Sequence, residues 1–352
     1  MVTKALRNAV ALAAGLVVSG CMFRQPADRH EPIVTNVLAQ ASACSMLAMG
    51  SDIVNAASPP VPRPPGVVVE PALCCAGVRE SSHPSHDVYP PERRSTWVKH
   101  ETAHALVTAP DTCPARGVVV VFAGLGMAPE AAILRDIADR LVGRGFLVAR
   151  ELREETEGEL RLDPLSEARA GIALGERLAR VCGVTEPVTF AGISLGGTEG
   201  LLAGREAPAS PVVVIDPLLD VRATVRWLRR IDLSVSRDVM LEFFRLVVHG
   251  RYGVGGTLRE AFARASTGAT NLDRDMPTAW LPQAGAAWWS HVRVFLSAWD
   301  PVLGDAGRDR LDEASVRRFE AEGHIGVYCE QDGMRRVTEA MAGCAVGECR
   351  TE

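Results

Sequence analysis

Two five-residue stretches carry side chains that could do hydrolytic chemistry. His100-Glu101-Thr102-Ala103-His104 sets two imidazoles four residues apart, with a carboxylate between them. On a helix that spacing puts both rings on one face, where they could hold one Zn²⁺ while the glutamate activates a bound water. Gly192-Ile193-Ser194-Leu195-Gly196 offers a different nucleophile, a serine hydroxyl flanked at two residues on either side by glycine. Where a strand turns sharply into a helix, such a serine is held in a strained conformation, and only small residues fit two before and two after it. The helix N-terminus then supplies backbone N–H groups and positive dipole beside the reacting oxygen.

The elements around each stretch decide between them. From Trp97 onward short apolar runs alternate with amphipathic segments. "GVVVVFAGLG" (117–126), "FLVARE" (146–151), "PVTFAGI" (187–193), "SPVVVID" (210–216) and "HVRVFLSAWD" (291–300) read as buried strands. The intervening "PEAAILRDIADRLVGRG" and "DPLSEARAGIALGERLARVCG" have helical spacing, the second with Asp163 or Ser166 as cap and Gly183 as stop. A helix around 308–315, a short strand near 316 and a last helix in "MRRVTEAMAG" complete the pattern. This alternation predicts a mostly parallel sheet covered by helices on both faces. Residues 221–289 break it and read as a helical cap insertion, which leaves 93–220 and 290–352 as the core.

In that scheme "HALVTAP" (104–110) is an opening strand, so HETAH falls in strand or loop. Residues four apart still share a face of a strand, but the helical frame that brings the glutamate to a zinc-bound water is lost. No HxxGxxH extension follows His104. Neither a metal nor an organic cofactor is expected. Gly192–Gly196, by contrast, follows a predicted strand and precedes a predicted helix, the context its chemistry needs.

A net charge of −5 on 352 residues offers no general attraction for nucleic acid, which is excluded as a partner. The N-terminus carries Lys4 and Arg7 ahead of "AVALAAGLVV", an apolar run too short for a permanent bilayer span. It reads as an export signal over 1–20. "VVSGC" resembles the lipobox of bacterial lipoproteins, which implies lipidation of Cys21 and a lipid anchor in the membrane of the bacterial cell envelope. Met22 in place of Asp implies the outer membrane by the same resemblance. Residues 21–92, with "SPPVPRPPG" at 58–66, have the composition of a proline-rich tether. The other eight cysteines are an even number in an oxidising compartment, so some are expected in disulfides.

With its serine elbow in this position, the chain resembles the α/β-hydrolase family over roughly Trp97 to Ala342. The resemblance implies the α/β-hydrolase fold and a triad in the order Ser, acid, His. Asp300 in "AWDPVL" takes the acid's place after a late strand, with Asp216 at the end of the preceding strand as the alternative acid. His324 in "EAEGHIGVY" takes that of the base. "FAGLG" occupies the position of the oxyanion loop, with backbone N–H groups of Leu125 and Leu195 as donors. The implied function is a serine hydrolase that cleaves small-molecule or lipid carboxylic esters through an acyl-serine intermediate. A non-catalytic scaffold for surface binding, and an HExxH zinc protease, are the competing readings. Trp280, Trp288, Trp289 and Trp299 flank the end of the insertion and read first as packing, second as the lining of an apolar acyl pocket.

Overall fold

The structure is a computed structural model that describes residues 67–68, 95–101, 103–111, 114–124, 127, 129, 131–152, 163–224, 272–298, 300, 307–320, 326–328, 330 and 332–349. Cys21, Leu125, residues 225–271 of the expected insertion, Trp299 and His324 lie outside the described residues, as does the arm expected at 21–92 except for Val67–Val68, which are not tether but a short strand paired with the sheet.

Among the described residues nine strands form one sheet: β1 (Val67–Val68), β2 (Ser95–His100), β3 (Ala103–Thr108), β4 (Val118–Phe122), β5 (Leu147–Leu152), β6 (Thr189–Ile193), β7 (Val212–Ile215), β8 (Val292–Leu296) and β9 (Val316–Arg318). Their order across the sheet is β1-β2-β3-β5-β4-β6-β7-β8-β9. Of these strands β3 alone runs against the rest, as one arm of a hairpin with β2 and antiparallel to β5 on its other side. The α/β-hydrolase fold expected from the sequence is the fold observed.

The central strands are near-continuous apolar runs because both of their faces are covered. Strand β4 shows this residue by residue. Val119 and Val121 join Ile133, Ile137 and Met341 on one face, while Val118, Val120 and Phe122 join Leu174, Leu178 and Leu202 on the other. Strand β7 divides in the same way, with Val213 and Ile215 on one face and Val212 and Val214 on the other.

Helices α1 (Ala132–Val142) and α4 (Gly333–Ala345) cover the first face, and α2 (Pro164–Cys182) and α3 (Leu195–Glu206) the second. Helix α2 begins where expected: the Asp163 side chain accepts from Ser166 N at 3.3 Å, Pro164 occupies the first turn, and Gly183 ends the helix in the left-handed conformation. The segment 308–315, expected as a helix, is instead two 3₁₀ turns, Arg308–Arg310 and Glu313–Ser315. Leu311 and Asp312 between them are extended, which lets Leu311 drop into the core. Cys344 and Cys349 form a disulfide, and Cys182 is disulfide-bonded to a partner outside the described residues. Among the described residues no helix is long and apolar enough to cross a membrane.

Because β4, β6, β7 and β8 are parallel, their carboxyl ends open at one edge of the sheet. The segments that leave that edge carry Gly124, Ser194, Asp216 and Asp300.

Candidate active site

Strand β6 is buried throughout, and the chain turns directly from Ile193 into α3. Ser194 makes that turn with φ 57° and ψ −119°, a conformation that an L-residue holds only when its surroundings over-determine it. The surroundings are on both sides. Ser194 N donates to Ile215 O at 3.0 Å, and Ser194 O accepts from Gly197 N at 2.9 Å and Leu218 N at 3.0 Å. The glycines are needed for space. A Cβ on Gly192 would stand 2.0 Å from Gly196 O, and one on Gly196 would stand 2.2 Å from Phe122 O. Ser194 itself is half-buried among buried neighbours.

The loop after β4 passes over the elbow. A Cβ on Gly124 would lie 3.5 Å from Ser194 Cβ and 3.3 Å from Ile193 O. Met127 N closes a turn onto Gly124 O at 3.0 Å. Leu195 is the first residue of α3, where amides have no acceptor inside the helix and point outward with the positive end of the dipole. Together, a loop crossing a serine and a helix N-terminus beneath it can stabilise negative charge on an oxygen.

The two candidate acids leave neighbouring strands. Asp216 follows β7 with φ 40° and is fully buried. Its carboxylate accepts from Ser297 N at 2.8 Å and from Ser297 Oγ at 2.6 Å, and Arg308 Nη2 lies 3.9 Å away. Asp300 is also fully buried, three residues beyond Ser297. Ser297 Oγ in turn accepts from Gly326 N at 2.9 Å, and Gly326 stands two residues after His324 in sequence. Ser297 and Arg308 belong to no motif, and no local signal in the chain singles them out.

HETAH is a hairpin. His100 ends β2, Glu101 occupies the turn with φ 52°, and His104 lies in β3. His104 pairs with Lys99 and His100 with Ala103, so the two imidazoles start from opposite faces of the sheet. The shared face expected for an unbroken strand is lost at the turn. Among the described residues no group of three or more His, Cys, Asp or Glu is placed to hold a metal ion.

The tryptophans gather at the far end of α3. Trp288 Nε1 donates to Gly204 O at 2.9 Å, and its ring meets Trp280 and Trp289 edge-on at 5.4 and 4.8 Å. Gly204 is ten residues along the helix from Ser194, roughly 15 Å at the ordinary helical rise. These three rings therefore pack the helix against the segment before β8 and stand away from the elbow. Beside them a hydrogen bond from Arg169, assisted by Arg205, holds the Glu206 carboxyl below its usual range against the opposing effect of burial.

The fold is similar to that of 2,6-dihydroxy-pseudo-oxynicotine hydrolase, with a TM-score of 0.51 and 14% identity over 73% of this chain and 69% of that one. It is also similar to a hyperthermophilic esterase from the archaeon Pyrobaculum calidifontis, with a TM-score of 0.46 and 15% identity over 91% and 99% of the two chains. At 14% identity the likeness to the first extends to the fold alone. No protein-family model matches the sequence, and no curated protein matches it.

Proposed function

We propose that this chain is a serine hydrolase that cleaves carboxylic esters of small molecules or lipids through an acyl-serine intermediate. The observation that carries the reading is the Ser194 elbow: a half-buried serine at φ 57°, enclosed by glycines that leave no room for a Cβ. A buried turn held this tightly serves to aim one side chain. In this reading His324 takes the Ser194 proton, Asp300 orients the imidazole, and the amides of Leu125 and Leu195 receive the oxyanion. The resemblance in fold to a hydrolase supports the reaction class.

The setting we propose is the bacterial cell envelope, with Cys21 as the lipid anchor and the outer membrane as the destination. "VVSGC" supports it, as do the disulfides at Cys182 and Cys344–Cys349, which suit an oxidising compartment.

A fluorophosphonate probe tests the chemistry. Labelling of the full chain, lost in Ser194→Ala, is the expected result; no labelling of the folded wild type would favour the non-catalytic scaffold. Lipid labelling lost in Cys21→Ser is the expected result for the anchor.

A further inference from the structure

Resting on the serine-hydrolase reading, we propose that Thr198 is a positioning residue whose hydroxyl latches the exit of β7 onto the first turn of α3. That exit, Ile215 to Leu218, is a bracket around the nucleophile. Ile215 O accepts the Ser194 N–H and Leu218 N donates to the Ser194 carbonyl, each at 3.0 Å. Asp216, at φ 40°, makes the turn between them. Two planar peptide groups flank each Cα, and once both are fixed the direction of the Cα–Cβ bond is fixed with them. The bracket therefore sets where the Ser194 side chain starts.

Thr198 closes the bracket. It is fully buried, four residues along from Ser194, and its hydroxyl donates to Leu218 O. A helical threonine ordinarily turns its hydroxyl back to a carbonyl three or four residues earlier. Here the Ser194 carbonyl already accepts from Gly197 N, Thr198 N and Leu218 N, and the hydroxyl reaches across to the exit of β7 instead. Leu218 is thus bonded on both sides, its N–H to the nucleophile and its carbonyl to Thr198. Of the three N–H groups on the Ser194 carbonyl, that of Leu218 alone comes from outside α3. The latch bears on that one. Gly197 lets the two segments meet, since a Cβ there would stand 2.8 Å from Pro217 Cβ. Without the hydroxyl, Leu218 O loses its donor, and a shift of the exit carries the Ser194 peptide groups with it. Misplacing a catalytic group by about 1 Å can cost on the order of 100-fold in rate.

The test compares Thr198→Val with Thr198→Ser in the full chain, because valine keeps the shape without the hydroxyl and serine keeps the hydroxyl. With a p-nitrophenyl ester, Thr198→Val is expected to lower kcat by about 10- to 100-fold with KM within about threefold. Thr198→Ser should restore most of kcat. The rate of fluorophosphonate labelling at Ser194 should fall by the same factor as kcat. A purely structural role would lower the urea midpoint and leave kcat per labelled site unchanged. That result, equal kcat in the two variants, or a difference confined to KM would overturn the proposal. If Thr198→Val does not fold, as judged by tryptophan fluorescence in urea, Thr198→Ala takes its place under the same criteria, since alanine is the best helix former and adds no bulk. An active Ser194→Ala would instead overturn the serine-hydrolase reading, whereas an inactive Ser194→Ala beside a fully active Thr198→Val would overturn this proposal alone.

Discussion

The hairpin at Glu101 and the elbow at Ser194 each place a non-glycine residue at positive φ, 52° in one and 57° in the other. Glu101 is exposed at the tip of a two-residue connection between antiparallel strands, where such a conformation is ordinary turn geometry. Ser194 leaves a strand with parallel neighbours on both sides, bonded to the exit of β7 and to its own helix and covered by the exit of β4. The same backbone angle closes an exposed turn in the first case and is locked between a strand exit and a helix start in the second. What separates them is enclosure, not the letters of the motif.

The largest effect expected from breaking this contrast is at Ser194. Ser194→Ala should lower kcat for ester hydrolysis by about 10⁶, the order seen when a triad nucleophile is removed, and should leave the urea midpoint nearly unchanged. Next come the acids. Asp300→Asn should cost about 10⁴ in kcat, as for the acid of a serine-protease triad, while Asp216→Asn should retain most of the activity and act mainly on stability. The reverse order in steady-state kinetics would move the acid's role to Asp216. Gly196→Ala tests the enclosure itself: its Cβ would meet the Phe122 carbonyl at 2.2 Å, and overpacking of this kind destabilises by about 1–3 kcal/mol or more, readable as a lower urea midpoint. The smallest effect belongs to the hairpin. His100→Ala, or dialysis against a chelator, should leave the ester turnover rate within about twofold, because surface changes away from special features move stability by only about 0.5 kcal/mol.

Much of this was legible in the sequence wherever one local rule sufficed. The apolar runs of β4, β6 and β7 announce strands covered on both faces, and Gly192 and Gly196 announce a turn with no room for side chains. Asp163 and Gly183 mark the ends of α2 because capping depends on a few neighbouring residues. The misses depend on distant partners. The 308–315 segment has helical composition, yet Leu311 turns into a core formed with Val292 and Val316. Ser297 is one serine among many until the fold brings Asp216 and Gly326 to it from 81 residues before and 29 after.

The strand order has a consequence for how the chain folds. Val119 pairs with Thr189, and Val212 with Val292, so the centre of the sheet is assembled from segments far apart in sequence. Closing such loops costs entropy before any contact rewards it, which makes this a slow topology. Until β6 has both neighbours, Ser194 lacks its bond to Ile215 O and the cover of Gly124, and only bonds within its own helix hold the turn. The enclosed form of the elbow therefore waits on sheet assembly, and an unfinished chain presents bare apolar strands, the species most exposed to aggregation.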